Sequence, residues 1–544
     1  MPFLSFLKQR SLPVILSIVF VAYLPSLKAD FVNWDDGVHI LQNFSLRSLH
    51  WQNLAGIWTS TINHTYIPLT VTTWAMEYHF FGYDPFIFHL DNLFLHLITT
   101  ALVFIFSEQM ALSSMAAALA ALIFGIHPIH VESVAWATER KDVLYAALYM
   151  GTLVAYLKYI DTDKRKYFGL TIIFGVLSIC SKSMAVSLPA VLLALDWFRH
   201  RQITSRVIIE KLFCGALLIP IAFITYFPNS HFVHPAMGTG PLVWVWCLMF
   251  YLYKFLYPWP MVLFYGLPRS GGIFYLNVLV FLGLLATVWS VRRDRWVTFA
   301  FLFYLMNIFI LLRFQPILLL VSDRFMYLPS IGFCMLFAVI MERIFFWAQG
   351  HQAYLHIVKI LLGGLIGLMA IMTWGQCKAW QSSISLWNNQ LRYNSRAEPC
   401  VAYCKLADAY AAIDKQIPVG SPRFVQVYSL YQKSIDLNPD FAEPYYGLGN
   451  LFKSSGDDLH AEHFYKEAIA RDRTHSQAFF ELGQIYQRKG LPKEAINFYQ
   501  RAMAATPDNI YICSGIIKAY QGAIMRHDHA DIYQEEEDKI PRFI

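Results

Sequence analysis

Apolar and polar positions follow two regimes along this chain. Up to about residue 376, apolar runs of roughly 17 to 25 residues, the length that a bilayer core of about 30 Å demands, are separated by short polar joints. They predict membrane-crossing helices near 11–28, 86–107, 114–132, 143–160, 167–181, 184–198, 208–227, 273–291, 297–318, 327–347 and 355–375. The fifth and sixth of these are short enough to be shallow or tilted. The stretch from Pro241 to Met261 is interrupted by Lys254 and closed by Pro258 and Pro260. A helix broken in this way is expected to be re-entrant or interfacial in an outer loop. About eleven spans result, in a membrane domain over 1–376 followed by a second domain over 377–544.

From about Trp380 the pattern becomes that of charged, amphipathic helices with an internal period. One unit runs from Ala442 through Tyr445, Leu448, Gly449, Phe452, Ala461, Tyr465 and Ala468. The next runs from Ser476 through Phe479, Leu482, Gly483, Tyr486, Ala495, Tyr499, Ala502 and Pro507. Small residues that let two antiparallel helices close, with aromatics filling the gap, are the tetratricopeptide signature. A degenerate earlier unit carries Leu406, Ala407 and Tyr410, an insertion around Pro418 to Pro422, then Tyr431, Ser434 and Pro439. The expected product is a short α-solenoid whose concave face docks a peptide or protein, or else serves as a spacer or oligomerisation unit. The tail from Ile510, ending in Glu535-Glu536-Glu537-Asp538, reads as a solvated cap.

Composition agrees with the pattern and narrows the partners. With 56% hydrophobic and 15% charged residues in 544, the chain is not one soluble domain. A formal charge of +6 is small for this length, which argues against nucleic acid as a partner and leaves the placement of charge as the informative quantity. Lys8 and Arg10 precede the first apolar run, whose end, Ser26-Leu27-Lys28-Ala29, is a poor cleavage site, so an uncleaved signal-anchor is expected. Short loops rich in Lys and Arg face the cytoplasm. Those at Lys158 to Lys166, Arg199 to Lys211 and Arg292 to Arg295 all fall on the side of the N-terminus, so the loop from Asp30 to His64 and the second domain are expected outside, in a bacterial periplasm or the lumen of the endoplasmic reticulum. Cysteines are scattered as packing residues, with a disulfide among Cys377, Cys400 and Cys404 open if that region lies outside.

Polar residues kept at a membrane face carry the candidate chemistry, because ionisable groups there are costly. Asn33-Trp34-Asp35-Asp36 places two carboxylates in the first outer loop, with Asp36 favoured over Asp35 as the reacting group. Arg140, Lys141, Lys182, Arg313 and Arg324 are basic residues at the outer face, where basic residues are disfavoured; opposite an acidic loop they suggest a phosphate site. His127, His130, Glu132, Asp142 and Asp323 surround them in sequence as a supporting hydrogen-bond network. Metal ligation by His127, His130 and Glu132 is the lesser alternative, since their spacing spreads them over different helix faces, and no metal is assigned. His89, Asn92 and His96 share one helix face, a pattern read as inter-helix hydrogen bonding. Asn43-Phe44-Ser45 and Asn63-His64-Thr65 fit the N-glycosylation tripeptide.

Asn33-Trp34-Asp35-Asp36, Tyr66-Ile67-Pro68-Leu69-Thr70, the block His127 to Asp142, and Asp323-Arg324 with Tyr327-Leu328-Pro329-Ser330, followed by tetratricopeptide repeats, resemble the transmembrane and tetratricopeptide-repeat O-mannosyltransferases and their bacterial relatives. The resemblance implies an all-α, GT-C-like membrane glycosyltransferase that uses a polyprenyl-phosphate sugar and transfers it to a Ser or Thr hydroxyl of a protein. It assigns the base to Asp35 or Asp36 and the donor phosphate to Arg140, Lys182 and Arg324. No cofactor beyond the lipid-phosphate sugar is implied with certainty, and a divalent cation stays open. Membrane lipids and a protein or peptide acceptor held by the repeats are the implied partners. Ser181-Lys182-Ser183-Met184 departs from relatives that carry Pro or Glu after the Lys. Transfer to a lipid-linked glycan, or a non-catalytic membrane-anchored docking protein, are the alternatives.

Overall fold

A bilayer satisfies no backbone hydrogen bonds, so long apolar segments fold as helices. In the computed structural model, which describes residues 2–62, 65–226, 240–268, 270–309, 321–394 and 396–505, the fold is all-α. Among the described residues the only extended pairing is a bridge between Ile62 and Thr65. Among the described residues seven helices are long and apolar enough to cross a membrane: Ser11–Lys28, Pro85–Gln109, Ala137–Thr162, Ser205–Ile224, Gly271–Ser290, Ser330–Ala348 and Gln352–Ala379. The apolar pair Ser114–Ile126 and Pro128–Ala135, bent by 50°, is either an eighth, broken span or a re-entrant loop. The expected spans near 167–181, 184–198 and 297–318 correspond to helices Arg165–Ser181, Ser183–Phe198 and Arg295–Ile308, all too short to cross unaided. The last of these expected spans runs beyond the described residues, as do Arg313, Pro507 and the acidic tail.

The bend has a local cause. Proline disfavours helical backbone in the residue before it, and His127, before Pro128, is extended at φ −69°, ψ 123°. The chain then advances in short turns, Pro128–His130, Val131–Ala135 and Ala137–Glu139, before the helix Arg140–Thr162 begins. Irregular backbone at this depth is tolerated because it is enclosed by protein: Val131 to Arg140 are buried throughout. The predicted boundary near residue 132 therefore becomes a folded segment that holds most of the polar motif.

Outside the spans, the helix Pro68–Phe81 starts on a proline, whose fixed φ suits the first helical position, and ends at Gly82, where φ is +64°. Its residues Val71, Trp74 and Ala75 pack with Ile40, Leu46, Ile57, Ile67, Phe88 and Ala137 into a small apolar core that seats the first outer loop. The helix Pro241–Leu256 spans about 24 Å at 1.5 Å per residue, less than a bilayer core. Trp246 packs near Phe274 at 6.4 Å, and the Leu248 carbonyl accepts from Tyr304 at 2.6 Å.

Residue contacts divide the chain after Ala397, downstream of the boundary expected at 377. The helix Ser383–Tyr393 stays with the membrane unit because Ser383 and Trp387 hydrogen-bond to Asn33, and Gln390 to Phe264. The second unit consists of paired helices Pro399–Ala411 and Pro422–Leu437, Glu443–Ser454 and Asp458–Arg471, Ser476–Arg488 and Pro492–Ala505. Cys377, Cys400 and Cys404 are free and buried, so the disulfide left open above is not formed.

Candidate active site

Five segments separated in sequence meet at one end of the membrane unit: the loop at Asp35, the turns around Glu132 and Glu139, the start of the helix Arg140–Thr162, Lys182 after the helix Arg165–Ser181, and the turn Asp323–Met326. The adjacent acids take different positions. Asp36 is fully buried; one of its oxygens accepts from the Thr138 N–H at 3.0 Å and from the Thr138 hydroxyl, the other from the Val32 N–H at 2.8 Å. Burial pushes its carboxyl up to about 6 against the pull of those bonds. Asp36 thus ties the outer loop to the Trp136–Thr138 turn. Asp35 is half-buried and makes neither a hydrogen bond nor an ion pair among the described residues. Burial raises its carboxyl, while the Lys141 and Arg324 charges oppose the rise. The geometry moves preference from Asp36 to Asp35 as the group able to meet a substrate.

Neighbouring rings hold that loop in place. Trp34 packs edge-on to Phe264 and Trp387 at 5.5 and 5.7 Å, and the Trp387 indole N–H donates to the Asn33 side chain at 2.7 Å. Trp136 stacks on Trp380 at 5.2 Å. His39, one turn after the acids, is buried, and burial together with the Lys141 charge lowers it to about 3, so it is neutral.

Three of the basic residues gather around one carboxylate, that of Glu139. Lys141 lies 3.2 Å and the Arg324 guanidinium 3.4 Å from one oxygen, and Lys182 lies 3.8 Å from the other. Arg324 also pairs with Glu132 through its guanidinium and through its backbone N–H at 3.2 Å; Lys182 pairs with Asp142. Asp142 accepts in addition from Ser133 at 3.1 Å. Asp323 accepts from Tyr265 at 2.7 Å, and burial pushes its carboxyl up to about 6 while Lys254, on the helix Pro241–Leu256, opposes. Burial alone would lower Arg324, but Glu132, Glu139 and Asp142 hold it above its ordinary value.

Arg140 is not part of this group. Its guanidinium is buried and consumed by Glu77, the Asn92 side chain and, at 2.8 Å, the Phe88 carbonyl. Asn92 donates onward to the Trp136 carbonyl at 2.9 Å, so Arg140 anchors the motif to the helix Pro85–Gln109 instead of facing a substrate. His127 and His130 are likewise committed. The His127 ring bonds the Phe255 carbonyl at 3.0 Å and the Ile129 N–H at 3.2 Å. The His130 ring bonds the Phe124 carbonyl at 2.8 Å and Ser330 at 2.9 Å. His96 bridges Tyr327 at 2.6 Å and the Gly125 carbonyl at 2.9 Å. Among the described residues no three His, Cys, Asp or Glu side chains are grouped to hold a metal ion. Asn43 of the first tripeptide is buried and caps the turn Phe44–Arg47, accepting from the Ser45 N–H at 3.0 Å; Asn63 of the second lies outside the described residues.

Sequence reasoning passed over Glu139, although it stood inside the quoted motif, because nothing in a one-dimensional pattern distinguishes the hub of a charge cluster from its rim. It used Lys141 only as one of the misplaced cations. Glu77 lies on a helix too short to read as a span and gave no signal.

Tetratricopeptide repeat models match residues 442–475 and 476–509. The homologues among curated proteins are O-mannosyl-transferases. A protein O-mannosyl-transferase of Caenorhabditis elegans is 23% identical over 425 residues, covering 70% of this chain and 57% of the relative. The Drosophila melanogaster protein O-mannosyl-transferase Tmtc2 is 30% identical over 223 residues, covering 37% and 24%, and TMTC1 of Mus musculus is 29% identical over 204 residues, covering 34% and 22%. The chain thus spans little more than half of the worm relative and about a quarter of the others. Among solved structures, ArnT from Cupriavidus metallidurans bound to undecaprenyl phosphate is similar at 13% identity and TM-score 0.39, over 87% of this chain and 80% of that one. The Archaeoglobus fulgidus oligosaccharyltransferase tethered with an acceptor peptide is similar at 13% identity and TM-score 0.41, over 74% and 59%.

Proposed function

We propose that this protein is a membrane glycosyltransferase that moves a sugar from a polyprenyl-phosphate donor to a Ser or Thr hydroxyl of a protein acceptor. The observation that carries this reading is the unpaired, half-buried Asp35 carboxylate within the electrostatic reach of Lys141 and Arg324, in a group completed by Lys182. Attack on the anomeric carbon requires that the acceptor hydroxyl lose its proton and that the phosphate oxygen accept the electron pair of the breaking bond. Asp35 takes the proton, the acceptor oxygen bonds the anomeric carbon from the face opposite the phosphate, and the sugar inverts. Lys141, Lys182 and Arg324 stabilise the charge that builds on the departing lipid phosphate. Glu132, Asp142 and Asp323 orient those cations, and Asp36, Arg140, His127 and His130 hold the scaffold.

The same-sense support from homologues named O-mannosyl-transferases favours mannose as the sugar and a protein as the acceptor. The repeats would dock that acceptor. In a transfer assay with a polyprenyl-phosphate mannose and a Ser/Thr peptide, Asp35→Asn is expected to lower turnover by about 10²-fold or more, the usual scale for a lost general base. Asp36→Asn is expected to act through stability. Full activity in Asp35→Asn would end the proposal, and a sugar recovered on a lipid-linked glycan instead of a peptide would replace the acceptor.

A further inference from the structure

Two of the three cations assigned to the donor phosphate have an acid each besides Glu139. Arg324 has Glu132 and Lys182 has Asp142, each by a direct hydrogen bond, and these two ion pairs are complete without a third acid. Glu139 is the ion-pair partner of Lys141 at 3.2 Å and also lies, fully buried, within 3.4 Å of Arg324 and 3.8 Å of Lys182, so one carboxylate touches all three cations. Neither of its oxygens accepts a hydrogen bond from a hydroxyl or a backbone N–H, the partners expected of an acid that merely braces a turn; the Asp142 carboxyl lies beside it. Lys141 and Lys182 keep 14% and 12% of their side chains exposed and Arg324 keeps 8%, whereas Glu139 is fully enclosed.

We infer that Glu139 is a positioning residue that serves as an internal counter-anion: it holds the three cations in place and competes with the lipid phosphate for them, so that the phosphate left after transfer can leave. This inference rests on the donor-phosphate reading above. The sugar-bearing phosphodiester carries one negative charge, whereas the free lipid monophosphate carries up to two near neutral pH. Without Glu139, Lys141 would be left unpaired and Arg324 and Lys182 less compensated, and the added positive charge in a poorly solvated site would favour the product over the substrate; enzyme saturated with product turns over slowly. A fixed carboxylate among them narrows that difference. It does so without occupying the site, because its own position is set by the Trp136–Arg140 backbone.

The test uses the full chain in detergent, with farnesyl phosphate as the product probe and a farnesyl-phosphate mannose as the donor probe. Glu139→Gln, which keeps the shape and removes the charge, is expected to bind farnesyl phosphate about tenfold tighter or more, and to lower kcat and KM together as release becomes limiting. Glu139→Asp, which keeps the charge, is expected to restore release in part. A purely structural role would raise KM and leave the affinity for farnesyl phosphate unchanged or weaker. Should Glu139→Gln fail to fold, wild type still decides: its inhibition constant for farnesyl phosphate is expected at or above the KM of the donor, and a value tenfold below it overturns the inference. Wild type that binds neither phosphate overturns the donor reading itself. Wild type that binds both, beside a Glu139→Gln protein that gains nothing, overturns only the role of Glu139.

Discussion

At the scale of single residues, two neighbouring aspartates with one sequence context do different work because their side chains leave the backbone in different directions. Asp36 satisfies two backbone N–H groups and a hydroxyl, and a carboxylate so engaged is a poor proton acceptor for anything else. Asp35 keeps its lone pairs, and its environment sets a pH dependence. Burial raises its carboxyl above the ordinary value of 3.8, with Lys141 and Arg324 limiting the rise. In the base role proposed above it works only when ionised, so activity is expected to be lost as pH falls through this raised value and to be complete above it. The acid limb of kcat/KM is therefore expected above pH 3.8, and Lys141→Ala, which removes an opposing positive charge, should move it further up. A limb that moves down in Lys141→Ala would show that another group is the base. Residue types at a membrane face revealed the polar motif from the sequence, since charge there is costly. What each residue touches was not legible: Arg140 and Arg324 look alike as misplaced cations, and only packing shows that one is sealed by Glu77 and Asn92 while the other borders the site.

Elements were more legible than contacts, because apolar length and the repeat spacing are properties of the sequence itself. The long spans and the tetratricopeptide helices lie where their patterns placed them, whereas the expected span 114–132 breaks at His127, since a hydropathy run does not register the constraint that Pro128 places on its neighbour. In the repeat unit the spacing has a steric basis that can be tested. A Cβ on Gly449 would sit 2.4 Å from the Tyr465 ring, and one on Gly483 2.5 Å from the Tyr499 ring, closer than real carbon contacts allow. Alanine in place of glycine favours an exposed helix by about 1 kcal/mol, but overpacking a buried contact costs about 1–3 kcal/mol, and here both rings are buried. Gly449→Ala is therefore expected to destabilise the repeats by about 1–2 kcal/mol. Hydrogen exchange of the full chain should show faster opening confined to 442–505, and combination with Tyr465→Leu should recover part of the loss. Slower exchange in Gly449→Ala would mean that the two helices are not closed on each other at that position.

Across the whole membrane unit, charge is sorted to two ends of the same helices. The helix Arg140–Thr162 is about 35 Å long at 1.5 Å per residue. Its first turn holds Asp142 in the candidate site, and its last turns hold Tyr156 and Tyr159 in a second polar cluster. There Lys211 lies 2.5 Å from Asp196, Arg201 pairs with Asp196 at 3.2 Å and Glu210 at 2.8 Å, and Arg199 donates to the Gln109 carbonyl at 2.9 Å. Arg295 donates to the Trp197 carbonyl at 2.9 Å. Every loop that the excess of Lys and Arg assigns to the cytoplasm and that takes part in these contacts arrives at this end, and every segment of the candidate site arrives at the other. Even the short helices Arg165–Ser181 and Ser183–Phe198 therefore connect the two ends, although their length alone would not have shown it. On the positive-inside rule the site is expected to face outward, which impermeant thiol labelling can check. With the seven described cysteines buried and Cys513 changed by Cys513→Ser, a single reporter is placed at an exposed position near each end, Ser60→Cys beside the site and Lys164→Cys beside the second cluster. In intact cells an impermeant maleimide is expected to label Ser60→Cys and to leave Lys164→Cys unmodified until the membrane is permeabilised. The reverse pattern would place Asp35 in the cytoplasm and invert the membrane unit.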